Sequence, residues 1–291
     1  RRVGDEGESS LPQSDINIYE HISDESGFTT LNRLIQQYPT TQVTNIQTVT
    51  WDGESTAQAL ERIAQSAVDA VRNGSRLIVL NDAEAFLESN GWVDPILVLG
   101  VVDRALRLSF IENTPADSPT PIPLNDTGKI DLGLVASNPQ INLRRQAGII
   151  VRSGAIRNLH DLIMCVGMGA DAIVPYLIFE ATLNEAGTLE EQIGRMKNTL
   201  KALRSGIEKC TSTMGIHEAR GYGRLFASIG LSNGLALTLG ASNYAGSEQG
   251  GWTWENLDAE LAAMLFLDDA ALLKAFFLAI QTLNREGLLL A

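Results

Sequence analysis

The stretch "AGIIVRSGAIRNLHDLIMCVGMGADAIVPYL", residues 147–177, decides the fold. Its apolar opening reads as a strand, Ser153-Gly154 as a turn, "IRNLHDLIMCVGM" as a helix and "ADAIVPYL" as a second strand. Strand, helix and strand in this order are the pattern of a parallel sheet with a right-handed crossover. The turn also poses a chemical question. A strand that ends in Ser-Gly before a helix places backbone N–H groups at the positive helix end, where a phosphate or carboxylate is held. Ser153, Gly154, Arg157 and His160 are therefore the anion-binding candidates. A βαβ unit needs a small corner and a helix cap at this place in any case, and that structural role is the commoner one. The glycines of residues 167–171, "GMGAD", stop the helix; they lie after a helix and before a strand, the reverse of the order in a phosphate loop.

Working outward, the same alternation of strand and helix recurs. "TQVTNIQTVTW", residues 41–51, alternates apolar and polar residues as a half-buried strand. In residues 53–75, Ser55 or Thr56 caps a helix whose Leu60, Ile63, Ala64, Ala67, Val68 and Val71 share one face, and Asn73-Gly74 ends it. "RLIVLND" is a buried strand, and "VDPILVLGVVDRALRLSF" a helix that tolerates Pro95 in its first turn. Residues 112–144 hold Pro115, Pro119, Pro121, Pro123 and Pro139 and read as a long excursion over the surface. Residues 188–215 and, more briefly, "GYGRLFASIGL" are helical runs. The expected class is α/β: a small parallel sheet of about four strands with flanking helices and a helical C-terminal half. Residues 1–27 read as a polar N-terminal tail, 28–257 as the α/β domain with its Pro-rich insertion, and 258–291 as an apolar C-terminal helix.

Composition limits the function. The 291 residues carry a formal net charge of -13, which disfavours nucleic acid and anionic membrane surfaces as main partners. Asp268, Asp269 and Lys274 interrupt the longest apolar run, against a membrane span. The polar start of the chain does not resemble a secretory signal, and a cytoplasmic location is expected. Cys165 and Cys210 are far apart and fit reduced thiols, while His21, His160 and His217 are scattered, so neither a zinc site nor an iron–sulfur cluster is expected. His160 beside Asp161 is not a dyad, because adjacent helix residues do not face each other. Asp82 closes a strand where parallel-sheet enzymes place functional groups, but it reads more readily as the N-cap of a helix "AEAFLES". No catalytic residues are assigned.

Several segments, in order, resemble the central domain of glutamate synthase. They are "GSRLIVLND" with "VDPILVLGVVDRAL", residues 147–183 with their Pro-Tyr-Leu, residues 201–231 with Met-Gly-Ile and Ile-Gly-Leu, and "GGWTWENL" near the domain's end. Where the family has an acidic residue and Gly-Glu-Ala-Arg at the turn, this chain has Arg152 and "GAIR". The resemblance implies a non-catalytic linking domain that helps to form an ammonia passage between a glutaminase (amidotransferase) domain and an FMN-binding barrel. It places FMN and an iron–sulfur cluster in a neighbouring domain, with no cofactor in this chain. The other readings are a diverged stand-alone module that binds a phosphorylated ligand, and one that binds a protein partner or self-associates through Phe276, Phe277 and Leu278.

Overall fold

The computed structural model describes residues 35–86, 90–109, 142–183, 187–217, 222, 227–228, 230–240, 242–243 and 251–265. In chain order the first half contains β1 (Val43–Gln47), β2 (Val49–Thr50), α1 (Thr56–Arg72), β3 (Leu77–Asn81), β4 (Gly91–Trp92) and α2 (Pro95–Leu108). Then follow β5 (Gly148–Arg152), α3 (Leu159–Met168), β6 (Ala172–Val174), α4 (Tyr176–Leu183) and α5 (Leu189–Thr213). The last are β7 (Ala227–Ser228), α6 (Asn233–Leu239), β8 (Ser242–Asn243) and α7 (Trp254–Leu265).

The core sheet has four parallel strands in the order β1-β3-β5-β6, so each new strand is laid beside the last and a helix spans each crossover. Side chains alternate across a strand. Ile46, Ile78, Leu80, Ile149 and Val151 therefore share one face, and they form a single core with Ile63 of α1, Leu99 and Val102 of α2, and Cys165 and Met168 of α3. Leu77, Val79 and Ile150 point the other way and pack with Ile35, Tyr38 and Val43. All five β3 residues are buried, which accounts for the unbroken apolar run "LIVLN". Every position assigned to the apolar face of α1, from Leu60 to Val71, is buried.

Local signals set the helix ends. Ser55 accepts from Gln58 N while the Gln58 side chain accepts from Ser55 N, a reciprocal cap that satisfies two donors at the start of α1. Asp94 caps α2 ahead of Pro95 at its first position. Gly169, at φ 112°, ends α3 in the left-handed region, as expected of the "GMGAD" stop.

Four expectations need correction. The strand at "ADAIVPYL" ends at Val174, because Pro175 has no N–H for the ladder, and α4 begins at Tyr176. The expected helix "AEAFLES" is a single 3-10 turn over Ala83–Phe86 in its described part. In "GYGRLFASIGL", Ala227 and Ser228 form β7, which pairs with β8 rather than continuing a helix. The described part of the C-terminal helix starts at Trp254 rather than Asp258. The 1–27 tail, residues 112–141 of the insertion, and Phe276, Phe277 and Leu278 lie outside the described residues.

At the amino ends of the strands, Arg144 closes the sheet. Its guanidinium donates to Asp103 Oδ1 and Asp171 Oδ2, both at 2.8 Å, and to the Ala147 and Gly169 carbonyls at 2.9 and 2.7 Å. Asp103 is fully buried and also pairs with Arg107 at 2.6 Å. The carboxyl ends of the strands are the face left for chemistry.

Candidate functional site at the carboxyl ends of the strands

Ligands of open parallel sheets bind beyond the carboxyl ends of the strands. Here register brings Gln47, Asn81, Arg152 and Val174 into one row, with Asp82 and Ser153 immediately after it. Asn81 Oδ1 accepts from Arg152 Nη1 at 2.8 Å and from Ala83 N at 3.2 Å. Asn81, not Asp82, therefore holds the turn after β3. Gln47 Oε1, in the same row, is buried without a hydrogen-bond partner.

Asp82 is the centre of the cluster. It is 1% exposed and accepts from Ser153 Oγ at 2.5 Å, from Gly154 N at 3.2 Å and from Tyr176 Oη at 3.1 Å. The expected N-cap role is thus replaced by a bond set that joins the end of β3 to the end of β5 and the start of α4. Burial pushes the Asp82 carboxyl above its ordinary range, although the three donors and the nearby Arg152 charge all favour the ionised form. Burial, reinforced by Asp82, likewise pushes the Tyr176 phenol up. The Arg152 guanidinium lies 4.4 Å from the centre of the Tyr176 ring, a cation–π contact.

The four anion-binding candidates separate. Ser153 and Gly154 are buried, and their donors are directed at Asp82, so the carboxylate at this corner belongs to the chain itself. Arg157 and His160 are exposed and make no hydrogen bond to either. The helix also starts later than the turn. Asn158 is its N-cap and accepts from Asp161 N at 3.0 Å, while Arg157 N donates to Asp161 Oδ2 at 2.9 Å. Cys165 is fully buried on α3, and burial first, then Asp94 and Asp161, pushes its thiol up to about 12. Such a thiol is not a nucleophile at neutral pH. Among the described residues no three His, Cys, Asp or Glu side chains are grouped so as to hold a metal ion. The role of Tyr176 was not visible in the sequence, since 94 positions separate it from Asp82 and only the fold joins them.

A family model described as the glutamate synthase central domain matches residues 8–232. The chain belongs to this family. The match begins inside the stretch read as a polar tail and ends at the start of α6. Curated relatives agree with it. The NADH glutamate synthase of Schizosaccharomyces pombe is 28% identical over 218 residues, covering 71% of this chain and 9% of that protein. The chloroplastic ferredoxin-dependent glutamate synthase of Spinacia oleracea is 28% identical over 220 residues, 69% of this chain and 11% of that protein. The large chain of the NADPH glutamate synthase of Bacillus subtilis is 33% identical over 98 residues, 31% of this chain and 6% of that protein. The chain thus spans about a tenth of the length of the Schizosaccharomyces pombe and Spinacia oleracea relatives. The resemblance carried by residues 74–82, 93–106, 147–183 and 201–231 is borne out. No helix among the described residues is long and apolar enough to cross a membrane.

Proposed function

We propose that this domain is a non-catalytic linking domain of a glutamate synthase, serving ammonia assimilation and glutamate synthesis in the cytoplasm. In this reading it lies between a glutaminase (amidotransferase) domain and an FMN-binding synthase barrel and forms part of the passage for ammonia. FMN and the iron–sulfur cluster belong to the barrel. The observation that carries the reading is the family match over residues 8–232 within relatives about ten times as long. The rim of the sheet supports it: Asp82 has its hydrogen bonds satisfied by Ser153, Gly154 and Tyr176, and Cys165 is sealed in the core.

The test has two arms. The purified chain, given glutamine, 2-oxoglutarate and a reductant, is expected neither to hydrolyse glutamine nor to form glutamate; turnover by the chain alone overturns the non-catalytic role. The reading frame that contains this segment is expected to encode amidotransferase and barrel segments on either side, and separately produced copies of both are expected to co-purify with it. A chain that binds neither is not a linker.

A further inference from the structure

The helical pair α4 and α5 sits differently from the rest of the fold. No residue of α4 is fully buried, and α5, 25 residues long, buries only Met196 and Leu203. Met196 packs in a small cluster of its own with Phe179, Leu183, Ile193 and Leu200, all from the same two helices. Phe179 also touches the main core, and Leu203 belongs to it. The pair thus has an apolar cluster of its own and joins the main core through Phe179 and Leu203.

Its attachment to the sheet is local and made by close approach. A Cβ on Gly154 would stand 2.6 Å from Leu177 Cδ1 and 2.7 Å from Tyr176 Oη, so the start of α4 rests directly on the corner after β5. A Cβ on Gly206 would stand 2.6 Å from Leu159 Cδ2, so α5 rests on the start of α3 in the same way. Tyr176 adds a polar tie to Asp82 and stacks on Arg152. Pro175, between β6 and α4, has no N–H to bind the chain on either side, although Ile178 N donates to its carbonyl at 3.1 Å.

We propose that α4 and α5 form an arm hinged at Pro175 and latched by Tyr176 on Asp82, which opens as a unit while the sheet and helices α1–α3 stay folded. Opening uncovers Asp82, Arg152 and Ser153, so the arm controls access to the carboxyl ends of the strands. Cooperative units that open below the global unfolding free energy follow such boundaries between packed clusters.

Hydrogen exchange of the full chain in increasing sub-denaturing urea tests this. In the unaltered protein the amides of α4 and α5 are expected to exchange through an opening with a smaller urea dependence than those of β3 and β5. Tyr176→Phe keeps the ring and its stacking but removes the hydrogen bond to the Asp82 carboxyl; it is expected to speed exchange in α4 and α5 about tenfold and leave β3 and β5 unchanged. Gly154→Ala, which presses on Tyr176 and Leu177, is expected to act in the same selective way. Equal urea dependence for the arm and the strands in the unaltered protein overturns the inference whether or not the variants fold. So does a variant that leaves the arm unchanged, or one that speeds the arm and the strands together.

Discussion

At the scale of single residues, Asp82 shows how a polar group in an apolar layer is kept there. Its carboxyl lies in a site where burial outweighs three donors and a nearby guanidinium, so the folded chain binds its proton more tightly than the unfolded chain does. A raised folded value means that stability from this group falls as pH rises from the unfolded value, 3.8, toward the folded value, and is level above it. Asp82→Asn removes that dependence. Urea midpoints measured for both proteins from below pH 3.8 up to neutral pH are expected to differ by an amount that shifts against the wild type as pH rises; a constant difference over that whole range would show that the carboxyl does not titrate differently on folding. The thiols give a second check. Cys165 is fully buried with its thiol pushed up to about 12, whereas Cys210 is half-buried on α5. A thiol reagent at mildly alkaline pH is expected to label Cys210 in the native chain and Cys165 only after denaturant is added. Both cysteines were legible as reduced thiols. The bonds of Asp82 were not, because Asn and Asp at a strand end look alike as helix caps until the position of Ser153 and Tyr176 is known.

At the scale of elements, periodicity and capping chemistry foretold most of the layout. The face of α1, the Pro95 start of α2 and the glycine stop of α3 each rest on interactions within a few residues, and each appears where it was expected. The failures share a cause. The 3-10 turn at Ala83–Phe86 and the strand β7 are short segments, whose conformation is set by neighbours rather than by their own pattern. The Arg144 network belongs to this scale too, since it ties α2 to the loop before β5 and to the loop before β6. Arg144→Leu removes the more buried of the two guanidinium partners of Asp103; the other, Arg107, has a side chain 55% exposed. The expected cost is about 3 kcal/mol, read as a lower urea midpoint with an unchanged slope. A loss within ~0.5 kcal/mol would show the network to be a surface ion pair in its energetics.

At the scale of the whole molecule, the acid excess bears on stability. With a net charge of -13 the folded chain repels itself, and salt screens that repulsion. Raising ionic strength from about 0.02 M to about 0.15 M, which shortens the screening length to about 8 Å, is expected to raise the thermal midpoint; a fall would mean that attractive pairs such as Arg144–Asp103 dominate. The sequence by itself determined the α/β class, the approximate places of the four core strands, the Ser55 cap of α1, the glycine stop of α3 and the family, because each rests on local patterns of apolarity and turn residues in a fixed order. It also supplied the fingerprint at residues 147–177, whose two glycine turns fall on opposite ends of one helix. Only the tertiary structure decided what the Ser153-Gly154 corner does. Its donors face Asp82, 71 and 72 residues away, and its bare backbone is the seat of Tyr176 and Leu177. Hydrogen-bond partners are chosen by distance in space, and distance in space follows from the parallel register that lays the ends of β3, β5 and β6 side by side.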